Sequence, residues 1–206
     1  MRFPGCLATV AAAFALFAGA SQAAEPPEAV EASPAKAVLV TGASSGIGRN
    51  IAVSLADKGY FVYAGARKQA DLDALDKIPN VRSVRLDVTK QDEIDAAVAT
   101  VRAGDRGLYG LVNNAGVATL GPLAEIDEPE FQWIFDVNVF GVYRVTKAFA
   151  PLIIESRGRI INISSISGVL SGMFWGPYGM TKHALEAYTD ALAEEMALFD
   201  VQVSAV

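Results

Sequence analysis

Short apolar runs alternate with longer helical segments from Ala37 onward, and this alternation restricts the possible folds more than any other feature of the chain. Runs such as KAVLVTG and GRIINIS are almost continuously apolar, which is typical of strands that helices cover on both faces. Helices that connect successive strands in this way favour a parallel arrangement. The alternation therefore predicts an α/β fold over residues 36–206, a doubly wound, Rossmann-like parallel sheet.

The boundaries of these elements follow from the apolar runs and from the residues that flank them. The predicted strands are Ala37–Thr41, Tyr60–Ala66, Val81–Asp87, Leu108–Asn113, Arg159–Ser164 and Val201–Val206. The predicted helices are Ile47–Lys58, Asp71–Leu75, Gln91–Ala103, Glu128–Glu155 and Pro177–Phe199. The chain stops within its last apolar run, VQVSAV, and an unpaired apolar strand is a poor end for a domain. We therefore expect the C-terminal end of the domain to be missing, so that the fold is truncated in the sixth strand.

The residues before the domain have the features of an export signal. Arg2 precedes an apolar run, and small residues end at Ala23, which predicts a signal peptide over residues 1–23. The run is shorter than the about 20 apolar residues that span a bilayer. Residues 24–35 are rich in Ala, Glu and Pro and predict a disordered linker. The expected location is exported or periplasmic, and a cytoplasmic or membrane-associated protein remains the alternative.

Charge and residue counts argue against two classes of function. The net charge is −6 and no Lys/Arg-rich block is present, which argues against a nucleic-acid partner. Cys6 is the single cysteine and His183 the single histidine, so the sequence offers neither a disulfide framework nor a His/Cys metal cluster.

The first strand and helix are joined by the glycine-rich segment TGASSGIG, whose spacing is T-G-x-x-x-G-x-G. Gly42 permits a tight turn, Gly46 lets the backbone approach a pyrophosphate, and Gly48 lets the helix pack closely on the strand. The N-terminus of the helix then faces the phosphates. A plain turn between strand and helix is the alternative, but this setting favours dinucleotide binding.

The end of the second predicted strand, VYAGARK, bears on the choice of dinucleotide. An acidic residue there would bond the ribose 2′-hydroxyl of NAD and repel a 2′-phosphate. The sequence instead supplies Arg67 and Lys68, and an arginine pairs with phosphate in a forked, charge-assisted geometry. NADP is therefore favoured over NAD, with a solvated arginine at a strand end as the alternative.

Ser165, Tyr178 and Lys182 form the candidate chemical site. Tyr178 and Lys182 are four residues apart at the start of a predicted helix, so they share one face. A phenol is a poor base near neutral pH, and a neighbouring cation favours its ionised form. Tyr178 could then exchange a proton with a carbonyl or alcohol during hydride transfer, while Ser165 bonds the substrate oxygen. Each residue alone has an ordinary structural explanation, but the joint spacing favours a site.

The motifs together resemble the classical short-chain dehydrogenase/reductase (SDR) family over residues 37–206. They are TGASSGIG at 41–48, LDVT at 86–89, NNAG at 113–116, DVNVFG at 136–141 and the spacing of Ser165, Tyr178 and Lys182. The resemblance implies that Asn138 lies at a helix kink and holds a water that relays protons through Lys182. It also implies that Asp87 and Val88 contact the adenine, and that the long helices pack into homo-oligomers. The dinucleotide-binding residues expected on these grounds are Gly42, Ser44, Ser45, Gly46, Ile47, Gly48, Arg67, Asp87, Val88, Asn114, Ala115, Gly116, Tyr178 and Lys182.

These observations predict an NADP(H)-dependent oxidoreductase that interconverts a carbonyl and an alcohol, with Tyr178 as acid and base. Met173, Phe174 and Trp175 lie between Ser165 and Tyr178 and could wall a pocket for a hydrophobic substrate. Packing of these side chains under their own loop is an equal alternative. The other functional hypotheses are a catalytically inactive nucleotide-binding sensor and a non-functional truncated fragment.

Overall fold

The computed structural model describes residues 35–206, in which parallel strands form a sheet with helices on both faces. The strands are β1 Ala37–Val40, β2 Phe61–Ala66, β3 Val81–Arg85, β4 Gly110–Asn113, β5 Arg159–Asn162 and β6 Gln202–Ala205. The helices are α1 Gly46–Asp57, α2 Gln69–Leu75, α3 Gln91–Arg102, α4 Glu128–Phe135, α5 Gly141–Glu155 and α6 Gly176–Ala197. The predicted signal peptide lies outside the described residues, as does the linker as far as residue 34, and both stay predictions.

The strand order is β3-β2-β1-β4-β5-β6, and every neighbouring pair is parallel. The chain winds outward from β1 to β3, crosses back to β4 beside β1, and then winds outward to β6. This order confirms the predicted doubly wound sheet. It also creates a switch point between β1 and β4, where the connections leave in opposite directions and where ligands bind in folds of this class.

Both faces of the sheet are buried, as the apolar runs predicted. Ala37 and Leu39 of β1 join the core cluster that includes α3 and α5, while Val38 and Val40 join a second cluster with α1 and α2. All four side chains are at most 5% exposed. Because successive residues of a strand point to opposite faces, a continuous apolar run satisfies both cores at once.

The predicted helix Glu128–Glu155 is not one uninterrupted α-helix. A π-helical turn, Asp136–Phe140, separates α4 from α5, and the Gly141 amide donates to the Asp136 carbonyl across it. Arg144 closes the turn by donating to the Asp136 carboxylate at 2.6 Å. By length and composition this helical segment alone, among residues 35–206, could cross a membrane, but half of its most apolar stretch is buried inside the fold.

Candidate active site

A cleft of about 510 Å³ opens at the carboxyl ends of β1, β2, β3 and β4, on the switch point. Its lining residues are Gly42, Ser44, Ser45, Gly46, Ile47, Gly48, Ala66, Arg67, Leu86, Asp87, Val88, Asn114, Ala115, Gly116, Val117 and Val137. The expected dinucleotide-binding residues other than Tyr178 and Lys182 are all among them. Sequence reasoning missed Ala66, Leu86, Val117 and Val137, which contribute apolar walls from the neighbouring elements.

The glycine turn has the shape of a phosphate cradle. Gly42 and Gly46 have positive φ angles of 65° and 55°, which disfavour any side chain. A Cβ atom on Gly48 would lie 2.3 Å from the Asn114 side-chain nitrogen and 2.4 Å from the Gly42 carbonyl oxygen. A Cβ on Gly46 would meet nothing within 4 Å, because this residue faces the open cleft. The turn thus brings bare backbone and the N-terminus of α1 to the cleft, as a pyrophosphate requires.

A hydroxyl and an amide hold this turn against the segment after β4. The Thr41 hydroxyl accepts hydrogen bonds from the Asn114 and Ala115 amides, each at 3.0 Å. The Asn114 side chain donates back to the carbonyls of Thr41 at 2.9 Å and Gly42 at 3.1 Å. Asn114 therefore braces the glycine turn in addition to lining the cleft. The role of Thr41 was not foreseen, although it opens the motif.

The far end of the cleft combines positive and negative groups. Arg85 of β3 donates to the Arg67 carbonyl, at 2.6 Å, and to the Gln69 side chain, which fixes the backbone that carries Arg67. Burial by itself would raise the pKa of Asp87, but hydrogen bonds from the Thr89 amide and hydroxyl and the charges of Arg67 and Lys90 lower it overall. Asp87 is therefore ionised at neutral pH, with Arg67 as a cation beside it.

Tyr178 and Lys182 lie on the first two turns of α6. The Lys182 ammonium nitrogen is 5.6 Å from the centre of the Tyr178 ring. Trp175 packs edge-on against the same ring, with 5.8 Å between ring centres. The predicted pairing of cation and phenol on one helix face is thus present in the structure, and an aromatic wall borders it.

Lys182 is a buried cation, only 7% exposed. Its ammonium donates to the Ile163 carbonyl at 2.7 Å, just beyond β5. Burial lowers the pKa of Lys182 from 10.5 to about 8, and the charge of Glu186 opposes that change. The amine is still mostly charged at neutral pH, as a partner for a phenolate requires. Neither the Ile163 carbonyl nor Glu186 was singled out from the sequence.

Asn138 sits in the π-helical turn and is buried, with 1% of its surface exposed. Its amide exchanges two hydrogen bonds with the Val117 backbone, both at 2.8 Å, and donates to the Thr181 hydroxyl at 3.1 Å. Thr181 in turn donates to the Tyr178 carbonyl at 2.7 Å. Asn138 thereby connects the segment after β4 with the helix that carries Tyr178. The water relay implied by the family resemblance stays a prediction.

Ser165 follows β5 and caps a short 3₁₀ turn, Ile166–Gly168, where its hydroxyl accepts from the Ser167 amide at 3.1 Å. Ser165 is partly exposed, whereas the Ser164 hydroxyl is buried without a hydrogen-bond partner. The contact of Ser165 with a substrate stays a prediction.

The loop before α6 carries three exposed apolar side chains. Met173 is 80% exposed, Phe174 52% and Trp175 44%. Phe174 has a positive φ of 68°, and its carbonyl accepts from the Gly121 amide at 2.9 Å. The three side chains therefore do not pack under their loop. A cavity of about 450 Å³ lies alongside, between this loop, α4 and α6, and includes Leu123 and Met180 in its lining.

A family model and curated relatives match the chain and indicate the same protein family. A family model described as short chain dehydrogenase matches residues 36–206. The chain is 38% identical over 187 residues to mitochondrial D-beta-hydroxybutyrate dehydrogenase of Rattus norvegicus, covering 85% of this chain and 54% of the relative. It is 38% identical over 174 residues to retinol dehydrogenase 5 of Mus musculus, covering 82% and 54%. The chain thus spans about half the length of these curated relatives.

Solved structures of similar fold come from the same family or from named reductases. A short-chain dehydrogenase from Streptomyces avermitilis superposes with a TM-score of 0.79 at 40% identity, covering 83% of this chain and 64% of that one. An actinorhodin polyketide ketoreductase variant, solved with NADPH, gives a TM-score of 0.81 at 34% identity, covering 84% and 70%.

Proposed function

The chain belongs to the short-chain dehydrogenase family, and on this premise we propose that it is an NADP(H)-dependent oxidoreductase that interconverts a carbonyl and an alcohol. The observation that carries the proposal is the geometry of α6. Its first turns place Tyr178 and the buried Lys182 cation together. The Asn138 amide connects the same helix, through Thr181, to Val117, which lines the cleft of the glycine turn. The same family supplies relatives and structural neighbours named as dehydrogenases and reductases.

The residues present fit a nicotinamide dinucleotide. Gly46 leaves open space where a pyrophosphate would lie, and the close contact of Gly48 with Asn114 keeps the turn narrow. Arg67 offers a charge and a forked donor set to a 2′-phosphate, and Arg85 holds the Arg67 backbone in place. No acidic residue follows β2 directly, which supports NADP over NAD. When bound, the nicotinamide would supply or accept the hydride.

The protein groups then manage the substrate oxygen and its proton. Tyr178 donates a proton to the oxygen of a carbonyl, or removes one from an alcohol, in the direction that the reaction runs. Lys182 stabilises the ionised phenol through its charge, 5.6 Å from the ring centre. Ser165 hydrogen-bonds the substrate oxygen as its negative charge develops.

We propose a hydrophobic substrate. Met173, Phe174 and Trp175 expose apolar surface on the loop before α6, and Trp175 also packs edge-on against the Tyr178 ring. The relative named retinol dehydrogenase 5 is consistent with an apolar alcohol, although D-beta-hydroxybutyrate dehydrogenase is named for a small polar one. Retinal and acetoacetate, the oxidised partners of those two named alcohols, therefore form a discriminating pair of test substrates. We expect a higher kcat/KM for retinal.

The test of function is consumption of NADPH by the full chain with each of these carbonyl compounds. We expect turnover with at least one of them and its loss in Tyr178→Phe, which should still bind NADPH through the cleft residues. Tyr60→Phe is the matched control, because Tyr60 directly precedes β2, at the opposite end of the strand from the cleft, and the variant should retain full activity. Full activity in Tyr178→Phe would refute the assigned role. NADPH binding without turnover of any carbonyl would instead favour a nucleotide-binding sensor.

We also propose that the chain forms a homo-oligomer through α4 and α5. Trp133, Phe140 and Tyr143 expose apolar surface there, beside a groove of about 680 Å³. Exposed apolar surface of this kind commonly marks an interface. Sedimentation of the full chain should give a multiple of the mass of one chain, and Trp133→Glu should shift it toward a single chain. A wild-type protein that sediments as one chain at micromolar concentration would exclude the proposal.

A further inference from the structure

Buried polar side chains connect β5 to α6 beneath the candidate active site. Asn162, the last residue of β5, is fully buried, and its side-chain nitrogen donates to the Thr189 hydroxyl at 2.9 Å. Thr189 is 4% exposed, and its hydroxyl donates to the Leu185 carbonyl at 2.7 Å. The contact between Asn162 and Thr189 joins two elements by side chains alone, in addition to the backbone hydrogen bonds of the sheet and of the helix.

The orientation of the Asn162 amide is fixed from its other side. Its carbonyl oxygen accepts from the Asn113 side chain at 2.9 Å, and Asn113 is its direct partner in the pairing of β4 with β5. Asn113 also donates to the Thr146 hydroxyl on α5 at 2.9 Å. With its oxygen bound to Asn113, the Asn162 amide must direct its nitrogen toward α6. The bond to Thr189 therefore has one defined direction.

Thr189 and Asn162 are both close in sequence to the Lys182 contact, Thr189 on α6 and Asn162 at the end of β5. Thr189 is seven residues beyond Lys182, two turns along the same face of α6, about 10 Å by the rise of a helix. Asn162 directly precedes Ile163, whose carbonyl accepts from Lys182 at 2.7 Å. The end of β5 and the buried face of α6 are thus joined at two points, one of which is the Lys182 contact itself.

We infer that the Asn162–Thr189 hydrogen bond is a positioning contact, which sets α6 against β5 so that Lys182 reaches the Ile163 carbonyl. Its kinetic consequence depends on the function proposed above. Apolar side chains at positions 162 and 189 would stabilise the fold equally well, because a buried polar pair contributes little net free energy of folding. A polar pair differs in that it favours a single arrangement, since any shift leaves a buried amide without a partner.

The test compares Thr189→Val, which keeps the shape and removes the hydroxyl, with Thr189→Ser, which keeps the hydroxyl. Ile94→Val is the matched control, because Ile94 is fully buried on α3, away from α6. The readout independent of turnover is the ¹⁵N NMR signal of the Lys182 ammonium in the full chain. It is recorded near pH 6, below the Lys182 pKa of about 8, where the amine is charged. Thr189→Ala serves as a second variant if valine prevents folding.

We expect a solvent-protected Lys182 ammonium signal in the wild type, in Thr189→Ser and in Ile94→Val, and its loss in Thr189→Val. With NADPH and the carbonyl that the wild type reduces best, kcat should fall roughly tenfold or more in Thr189→Val, because a small misplacement of reacting groups lowers the rate by about that factor. The NADPH dissociation constant should stay within about twofold, because the cleft residues are untouched. Thr189→Ser should recover most of the lost kcat.

Three results would overturn the inference: no protected signal in the wild type, an unchanged signal and kcat in Thr189→Val, or equal losses in Thr189→Val and Ile94→Val. If the wild type binds NADPH but reduces no carbonyl, the proposed function fails. The ammonium signal then decides the positioning role without kinetics.

Discussion

Replacement of Lys182 with methionine should stabilise the protein at neutral pH while it abolishes turnover. The side chain is 7% exposed, and burial lowers its pKa from 10.5 to about 8. At about 1.4 kcal/mol for each pH unit, the fold loses about 3 kcal/mol by holding the charged amine. Methionine gives up the hydrogen bond to the Ile163 carbonyl, which is worth about 1 kcal/mol. The net gain should be about 2 kcal/mol in the free energy of unfolding.

The sign of the pH dependence follows from the lowered pKa. Between about pH 8 and the unfolded value of 10.5, the unfolded chain binds more protons at this site than the folded one. The wild type therefore gains stability relative to Lys182→Met as the pH rises through this interval. The advantage of the variant should be complete at neutral pH and should shrink steadily above about pH 8.

The assay is urea denaturation without dinucleotide, followed by the fluorescence of Trp133 and Trp175, at several values from about pH 7 to about pH 10. Lys77→Met is the control, because Lys77 is an exposed lysine whose replacement should change stability by less than about 0.5 kcal/mol at every pH. An advantage of Lys182→Met that does not change with pH would refute the argument from burial. So would a variant that is less stable than the wild type at neutral pH.

Three further predictions concern the dinucleotide cleft. Gly48→Ala places a Cβ atom too close to the Asn114 side-chain nitrogen, so NADPH affinity measured by calorimetry should fall at least about tenfold. Unchanged affinity would contradict the role of the glycine turn in binding the pyrophosphate. Arg67→Asp should invert the preference from NADPH to NADH in the ratio of kcat/KM values, and a preference that stays with NADPH would assign the 2′-phosphate to another residue. Thr41→Val removes the acceptor for the Asn114 and Ala115 amides, so the free energy of unfolding measured in urea should fall by about 1–3 kcal/mol; a change below about 0.5 kcal/mol would show that water replaces the hydroxyl.

The features that were predictable from the sequence are those that depend on residues close together in the chain. Gly42, Gly46 and Gly48 occupy one turn, and Tyr178 and Lys182 are four residues apart on one helix, so spacing alone shows which of them lie together. The doubly wound sheet was predictable for a related reason, since each strand covered on both faces must be apolar at nearly every position.

The remaining features depend on contacts between distant residues or on a single extra residue. The Thr41–Asn114 brace joins positions 73 residues apart, and each partner alone is an unremarkable polar residue at a strand end. The π-helical turn adds one residue to a helix and leaves its apolar pattern almost unchanged, so the pattern predicted Glu128–Glu155 as one helix, and only the family resemblance implied a kink at Asn138. The contact of Asn138 with Thr181 depends on that turn and was equally hidden.

The acceptor that fixes the buried ammonium is a main-chain oxygen, that of Ile163. Every amino acid at position 163 supplies the same oxygen, so a screen of side-chain replacements would not test the contact that this oxygen makes with Lys182. An amide-to-ester exchange between residues 163 and 164 in a semisynthetic chain weakens that acceptor, and it also removes the Ser164 amide that donates to the Val206 carbonyl at 2.7 Å. The contribution of the Lys182–Ile163 hydrogen bond is thus measured by changing the backbone chemically rather than by side-chain mutagenesis.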